Sequence, residues 1–315
     1  MTHLNQEQRY QLLALFDTGI SQKEIAIQIG CSPSTVSREL RRNRDLNGYY
    51  SPQEAHLKAK ARVKKQPWKF TEGMKTYIVS LLEKYHSPEQ IWGRAKLEGI
   101  IMVSIETIYK WIYDQIKHGA KLRHYLRWHL AARGKRALSN KKRGQIPDRV
   151  LIDDRPEVVE KRERLGDYEV DLVIGKGHHK AILTVVDRAS RMLYAALIDN
   201  KEAATVTTKL NYILVNKVVN TITSDNGKEF AGHKEVAKTL EASYYFAHPY
   251  HSWERGSNEN ANGLLRQFIP KNRPFDDLTE SQLQKYVDNI NNRPRKIHGF
   301  KTSIEIFQEL TKKKT

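Results

Sequence analysis

Three acidic residues that are far apart along the chain have the chemistry needed to hold divalent cations. Asp171 lies inside an apolar run of valine and leucine, where its charge must be paired or bind a cation because burying it bare is costly. Asp225 ends a short predicted strand, and Glu259 lies near the start of a predicted helix. Carboxylate oxygens suit Mg²⁺ or Mn²⁺, and two such ions can activate a hydroxyl nucleophile and stabilise the leaving oxygen of a phosphodiester. The sequence therefore indicates metal-dependent phosphodiester chemistry at Asp171, Asp225 and Glu259.

Each of these acids also has an ordinary structural explanation. Asp225 precedes Asn226 and Gly227, a pattern typical of turns, and Glu259 fits a carboxylate that complements a helix dipole. Four further acids compete for the same role: Asp167, Glu169, Asp187 and Asp199. Asp167 and Glu169 share the strand face of Asp171 by alternation, and we rank them second because they lie nearer the start of the strand.

The elements that must position these acids are predicted over residues 161–315. Three short runs rich in β-branched residues predict an antiparallel meander at 170–174, 181–186 and 192–198. Two further strands are predicted at 221–224 and 242–246, and helices at 203–215, 233–240, 257–268 and 281–290. This order predicts an α/β domain in which helices cover a mixed sheet.

Residues 4–42 predict a compact unit of three helices. Ser21 and Glu24 form a capping box, and Ser32 caps a third helix that has Pro33 at its first position. A helix, a short glycine-containing turn and a second helix are typical of a helix-turn-helix, although a helical hairpin that packs on the rest of the protein would look similar. The outward side chains of the third helix are the predicted DNA-binding residues: Ser34, Thr35, Ser37, Arg38, Arg41 and Arg42.

The remaining segments complete a multidomain organisation with an all-α N-terminal region. We assign residues 1–45 to the helix-turn-helix domain, 46–69 to a basic helical connector, 70–116 to a second helical module, 117–160 to a basic linker and 161–315 to the α/β catalytic domain. The second module repeats the capped-helix pattern, with starts at Ser87 and Ser104. Its outward face is less basic, so a DNA-reading role and a scaffold role stay open.

The charge of the chain points to a polyanionic partner. The formal net charge is +18, and residues 1–150 carry 28 basic and 13 acidic side chains whereas residues 151–315 carry 26 and 23. Such asymmetry favours a DNA backbone held by the first half, against the simpler alternative of a basic solvated surface. A single cysteine, Cys31, excludes a disulfide framework and a multi-cysteine zinc site. No apolar run suits a membrane helix, so we expect a cytoplasmic, nucleoid-associated protein.

Four histidines and one tryptophan near the predicted site have weaker signals. His178, His179, His248 and His251 are interpreted as turn and loop residues, because nothing nearby supplies the other ligands of a closed zinc site. Trp253 precedes the predicted catalytic helix and fits either packing or stacking on a splayed base.

Several motifs together resemble one known family. These are GDYEVDL at 166–172, TSDNGKEF at 223–230 and HSWERGSNENANGLLR at 251–266, with 33 residues between Asp225 and Glu259. SPEQI at 87–91 and ETIY at 106–109 add to the match in the second helical module. In this order, behind a helix-turn-helix, they resemble the insertion-sequence-thirty family of bacterial DDE transposases over nearly the whole chain. One departure is Val170, where the family often has a glycine.

The resemblance implies a ribonuclease H-like fold for residues 161–315, with Asp171, Asp225 and Glu259 as the metal-binding triad for two Mg²⁺ or Mn²⁺ ions. It implies that Arg266 contacts DNA near the cut. The implied activity is binding of terminal inverted repeats in double-stranded DNA, followed by strand cleavage and strand transfer into target DNA by a homo-oligomer. Two alternatives stay open: a catalytically silent DNA-binding regulator derived from a transposase, and a metal-dependent nuclease that does not join strands.

Overall fold

The computed structural model describes residues 4–45, 47–62, 70–126, 146–177, 180–249 and 251–312. Within it the chain forms two compact units, Met1–Phe70 and Thr71–Thr315. Among the helices of these described ranges, none combines the length and the apolar character needed to cross a membrane.

Within residues 4–45 and 47–62, the first unit contains four helices. They are α1 (Gln6–Asp17), α2 (Gln22–Gln28), α3 (Pro33–Asn43) and α4 (Pro52–Arg62). Ser21 caps α2 in a complete capping box, and Ser32 caps α3 with Pro33 in its first turn. The predicted starts of these two helices are therefore confirmed, because local capping chemistry determines where each begins.

The core of the first unit includes residues from all four helices. Ile25 and Ala26 of α2 are buried with Val36 and Leu40 of α3, and Ala55 of α4 is buried in the same cluster. Residues 46–69 were predicted to be a basic helical connector, but within the described part of this segment α4 packs into the core. Ala55 is a small residue in a basic segment, so the sequence does not indicate that this helix has a buried face. The packing of α4 could not be predicted for that reason.

The second unit begins with three helices, α5 (Glu72–Leu82), α6 (Pro88–Leu97) and α7 (Ile105–Lys117). Ser87 caps α6 with a capping box and Ser104 caps α7, as predicted. This module packs against the end of the chain: Gln90 Nε2 donates to the Pro294 carbonyl at 2.8 Å, and Arg94 pairs with Glu305 at 2.8 Å. The module at 70–116 is therefore part of a larger unit in the structure.

The segment expected to be a basic linker is partly ordered against the sheet. Residues 127–145 lie outside the described ranges. After them a 3₁₀ turn at Ile152–Asp154 and the short helix α8 (Val158–Lys161) are formed, and Ile146 and Val159 are buried. Leu151 forms a parallel bridge with Phe246, so this end of the predicted linker belongs to the globular unit.

In the part of the second unit that the structure describes, five strands form one mixed sheet in the order β3-β2-β1-β4-β5. They are β1 (Asp167–Ile174), β2 (Ala181–Asp187), β3 (Leu193–Ile198), β4 (Thr221–Ser224) and β5 (Ser243–Phe246). The first three form the predicted antiparallel meander, and β4 and β5 run parallel to β1. The α/β prediction is confirmed, and this is the sheet expected of a ribonuclease H-like domain. β1 begins three residues earlier than predicted.

Helices cover both faces of the sheet. Tyr168, Val170 and Leu172 of β1 face the core beneath α9 (Ala203–Leu214) and α10 (His233–Thr239). The opposite face packs against α11 (Gly256–Phe268) and α12 (Glu280–Asn291), while α13 (Ser303–Lys312) ends the described chain. Because side chains alternate along a strand, the odd-numbered acids of β1 lie on the α11 side.

Candidate active site

Asp171 and Asp225 come together at one edge of the sheet. β1 and β4 are parallel neighbours, and the pairing of Glu169 with Thr223 puts Asp171 and Asp225 at the same level two residues further on. Their side chains stay partly accessible, with 27% and 32% of each exposed. The structure therefore presents two acids from neighbouring strands to solvent on one side.

A guanidinium group lies between these two acids. Arg255 Nη1 is 3.4 Å from Asp171 Oδ1, and Arg255 Nη2 is 3.7 Å from Asp225 Oδ2. Nη1 also donates to the Val170 carbonyl at 3.3 Å, which ties the side chain to β1. Arg255 was not among the predicted site residues, because a lone arginine before a helix has no distinctive sequence pattern and meets the two acids only in the folded structure.

The Asp171 carboxyl group is electrostatically perturbed. Its pKa is raised to about 6, with burial as the largest cause; the Arg255 charge acts in the opposite direction, and the nearby Asp225 carboxylate adds to the rise. Asn262 Nδ2 donates to Asp171 Oδ2 at 2.9 Å. A carboxylate that is held in one orientation and poorly solvated gains strongly from a cation placed beside it.

Glu259 lies in the first turn of α11, the helix that packs on β1 and β2. Its side chain is exposed, like that of Asn260, whereas Asn258 and Ala261 are buried. Among the described residues, the three predicted acids do not form a cluster with all ligand oxygens within 4.8 Å of one another. The structure therefore brings Asp171 and Asp225 to a shared cation position, occupied by Arg255, and carries Glu259 on the adjoining helix.

The donor chemistry of this set fits hard divalent cations. All three groups offer carboxylate oxygens, and two of them already share one positive group at their common edge. Mg²⁺ and Mn²⁺ prefer such oxygens and keep several waters, which the partial exposure of Asp171 and Asp225 permits.

Three of the four competing acids, Asp167, Glu169 and Asp187, are satisfied by protein donors. Asp167 is buried and accepts two bonds from Arg164, at 2.8 and 3.0 Å, and one from Thr221 at 2.8 Å. Asp187 accepts from the Gly166 amide at 3.0 Å and from Ser190 at 2.7 Å. Asp199 is exposed at the far end of β3. Glu169 is buried under the first turn of α11, where Arg188 and two α11 groups bind it.

Arg266 borders a basic cavity next to β1. Its Nη2 donates to the Ile174 carbonyl at 2.7 Å, whereas its buried Nη1 has no hydrogen-bond partner among the described residues. The cavity has a volume of about 470 Å³, and Lys176 and Lys271 also line it. Three cationic side chains around one opening favour a phosphate group as its occupant.

The predicted DNA-binding residues lie on α3. Ser34, Ser37, Arg38, Arg41 and Arg42 are exposed, whereas Thr35 is half-buried. The hydroxyls of Ser34 and Thr35 lie 3.0 and 2.8 Å from the Ser32 hydroxyl, so both take part in the start of the helix. The other four residues present their side chains to solvent along α3.

The histidines of the β5–α11 loop have carboxylate partners that the sequence did not reveal. Glu254 Oε1 lies 2.9 Å from His248 Nδ1 and 3.2 Å from His251 Nδ1, and Asp153 Oδ2 lies 2.9 Å from His248 Nε2. Hydrogen bonding to Glu254 raises the pKa of His248, and the nearby Asp153 charge adds to this effect. These contacts tie the loop before α11 to the segment after the undescribed residues 127–145.

Three other side chains belong to the predicted surroundings of the site. Trp253 is exposed and stacks on His251 with ring centroids 4.4 Å apart, so the packing role expected for it is limited to the loop itself. His178 and His179 lie outside the described residues.

Comparisons with known proteins bear on both units. A family model described as a helix-turn-helix domain matches residues 1–43, and one described as an integrase core domain matches residues 162–252. The second match includes Asp171 and Asp225 and ends before Glu259.

Two relatives match nearly the whole chain. The transposase for insertion sequence element IS4351 of Bacteroides fragilis is 47% identical over 313 residues, covering 98% of this chain and 96% of its own. Transposase InsI for insertion sequence element IS30A of Escherichia coli (strain K12) is 33% identical over 324 residues, covering 98% of this chain and 84% of its own. Among solved structures, the catalytic core domain of BIV integrase is 22% identical with a TM-score of 0.38, covering 47% of this chain and 96% of that one.

Proposed function

Because the chain belongs to the insertion-sequence transposases that include those of the IS30 elements, we propose that Asp171, Asp225 and Glu259 carry out its DNA cleavage and joining. The observation that carries this proposal is the pair of acids on neighbouring parallel strands, which share one cationic group at the sheet edge. An acid pair left accessible in this way, beside buried acids that protein donors satisfy, supports a role in binding cations.

The proposed role of each residue follows from its contacts. Two divalent cations bound at the three acids would activate the attacking hydroxyl and stabilise the leaving oxygen of the phosphodiester. Asp171 is held by Asn262, so its carboxylate keeps one orientation. Asp225 accepts from the Gly227 amide at 2.9 Å, which fixes one of its oxygens and leaves the other toward Arg255. For Asp171 and Asp225 to hold cations, Arg255 would have to release its contacts with both carboxylates.

The surrounding basic groups are proposed to hold the DNA. Arg266, Lys176 and Lys271 line the cavity beside β1 and would bind a backbone phosphate near the cut. In the first unit, α3 would recognise the terminal inverted repeats. Its proposed contacts are Ser34, Thr35, Ser37, Arg38, Arg41 and Arg42.

Two further features of the proposal follow from the reaction. Joining requires both ends of the element to be held together with target DNA, so we propose a homo-oligomer assembled on double-stranded DNA. Because the proposed substrate is double-stranded DNA, we propose that the protein acts in the cytoplasm at the nucleoid.

A cleavage and joining assay tests this function. Full-length protein, double-stranded DNA carrying the element ends and Mg²⁺ or Mn²⁺ are expected to yield nicked ends and joined products. Asp225→Asn is expected to bind the ends normally and to lose both products, while Asp199→Asn, which changes an exposed acid outside the triad, keeps them.

Two outcomes would favour other functions. If wild type and Asp225→Asn bind equally and neither cleaves, the protein is a DNA-binding regulator. If the wild type cleaves but cannot join a pre-cut end bearing a 3′-hydroxyl, it is a nuclease without strand-transfer activity.

A further inference from the structure

Helix α11 begins without a local capping side chain. Its N-cap residue, Arg255, makes no side-chain hydrogen bond to the first turn and instead points toward the two aspartates. The first backbone N–H groups of a helix have no partners within the helix, and they carry a partial positive charge. The helix that carries Glu259 therefore depends on another element for its start.

Glu169 of β1 provides that partner. Its Oε2 accepts a hydrogen bond from the Asn258 backbone N–H at 2.9 Å, and its Oε1 accepts one from the Ser257 hydroxyl at 3.0 Å. Arg188 Nη1 donates to the same Oε1 at 2.8 Å. The carboxylate is fully buried, so its charge is compensated by Arg188 and by the helix N-terminus together.

These contacts are the first in a series that aligns α11 with β1. One turn after Asn258, Asn262 donates to Asp171, and one turn later Arg266 donates to the Ile174 carbonyl. Residues four apart lie on one face of a helix, so the three positions form a polar stripe that follows the strand. Thr184 of β2 lies 3.1 and 3.0 Å from the side-chain oxygens of Asn258 and Asn262, on the other side of the stripe.

Glu259 directly follows the residue whose N–H is bound by Glu169. A shift or fraying of this first turn would displace the Glu259 carboxylate relative to Asp171, whereas the later turns stay held by Asn262 and Arg266. Glu169 is also two residues from Asp171 on the same strand face, so a single rigid strand sets both acids.

We propose that Glu169 is a positioning residue, which fixes the start of α11 on β1 and thereby sets the distance between Glu259 and Asp171. Its action on the reaction rests on the proposed function, since it requires Glu259 to be a metal ligand. Its effect on the start of α11 does not depend on the proposed function. A misplacement of about 1 Å at a reacting centre lowers rates by about 100-fold, so a loosened first turn has a large kinetic effect.

The test compares Glu169→Gln with Asp167→Asn. Glutamine keeps the shape of the side chain, but its NH₂ group takes the place of one carboxylate oxygen. That group cannot accept a hydrogen bond, so one donor loses its acceptor. Asp167 is the matched control, because it is a buried acid on the same face of β1 whose partners, Arg164 and Thr221, lie away from α11. Amide hydrogen exchange of metal-free protein is measured over residues 256–262, together with Mn²⁺ affinity by EPR, end-DNA affinity and the cleavage rate constant.

Glu169→Gln is expected to speed exchange in the first turn of α11, to weaken Mn²⁺ binding at least threefold and to lower the cleavage rate constant at least tenfold. End-DNA affinity stays within twofold, and Asp167→Asn changes none of the four. Exchange and cleavage that match the wild type, or equal losses in both variants, would overturn the proposal. Faster exchange in Glu169→Gln together with a wild type that does not cleave would instead reject the proposed function and leave the positioning role standing.

A second variant covers the case in which Glu169→Gln fails to fold. Ser257→Ala removes one of the two α11 contacts with Glu169, together with the hydrogen bond that the Ser257 hydroxyl accepts from Arg191, and keeps the Glu169–Arg188 pair. It is expected to lower the cleavage rate constant two- to fivefold with faster exchange at residues 256–259. An unchanged rate and unchanged exchange in Ser257→Ala would refute the role of Glu169.

Discussion

Replacing Asp171 by asparagine is expected to stabilise the metal-free protein at pH 7.5 while abolishing cleavage. Burial raises the pKa of Asp171 from 3.8 to about 6, so the folded state binds this proton more tightly than the unfolded chain does. The stability that goes with the protonated form is fully present below pH 3.8 and is lost as the pH rises through 6. An asparagine carries no charge, so the variant escapes that loss.

The size of the gain follows from the pKa shift. One pKa unit corresponds to about 1.4 kcal/mol, so a rise from 3.8 to about 6 sets an upper bound of about 3 kcal/mol. Asp171 remains 27% exposed, and its contact with Arg255 is lost in the variant, so we expect a gain of about 1–2 kcal/mol. Asn262 keeps an oxygen acceptor at the new side chain, which preserves its hydrogen bond.

The assay is urea unfolding in EDTA at pH 4.0 and pH 7.5, followed by circular dichroism, with Asp199→Asn as the control for removal of an exposed acid. The difference between Asp171→Asn and wild type is expected to be larger at pH 7.5 than at pH 4.0. Added Mn²⁺ should stabilise the wild type more than the variant. A variant less stable than wild type at pH 7.5, or a difference that is equal at both pH values, would refute the electrostatic reasoning.

Three other predictions concern the two units separately. Arg38→Ala is expected to weaken binding to end-sequence DNA by about 1–3 kcal/mol in competition anisotropy; an equal loss on random DNA would make Arg38 a phosphate contact. Gly93→Ala would bring a Cβ to 2.2 Å from the Phe300 ring, so we expect a loss of about 1–3 kcal/mol in thermal unfolding, and an unchanged melting temperature contradicts this packing. Glu39→Gln leaves the buried Arg9 without its carboxylate at 2.6 Å, which is expected to destabilise the first unit by about 3 kcal/mol in urea; a change below about 0.5 kcal/mol would show that the pair is not buried in solution.

Local chemistry explains why much of the fold could be predicted. The helices at Ser21, Ser32, Ser87 and Ser104 start where a hydroxyl can cap backbone N–H groups, and that signal lies within four residues of sequence. The β-strands of the meander were similarly visible from runs of β-branched residues. Helix α13 was not predicted, since its place depends on partners such as Arg94, more than 200 residues away.

The first strand shows where local reasoning fails. Asp167 and Glu169 looked like residues at a strand's edge, so β1 was predicted to begin at Val170. Both acids lie inside the strand and are buried, because Arg164 and Arg188 from other segments neutralise them. An acid that is buried within a strand and an acid that lies at the exposed end of a strand look alike in the sequence. They differ in whether a basic side chain lies beside them, and that is known only from the tertiary structure.

The same argument separates the roles of the three acids on one face of β1. Asp167 accepts a hydrogen bond from Thr221 of β4, and Glu169 accepts one from the first turn of α11. Asp171 accepts a hydrogen bond from Asn262 and lies beside Arg255. Sequence alternation predicts only that they share a face. The donors that meet each one decide its role, because an acid already saturated by protein N–H groups has no oxygen left for a cation. Asp167 and Glu169 are buried, whereas the Asp171 side chain is 27% exposed. The acid with the fewest fixed donors is therefore the one at which a cation would gain most.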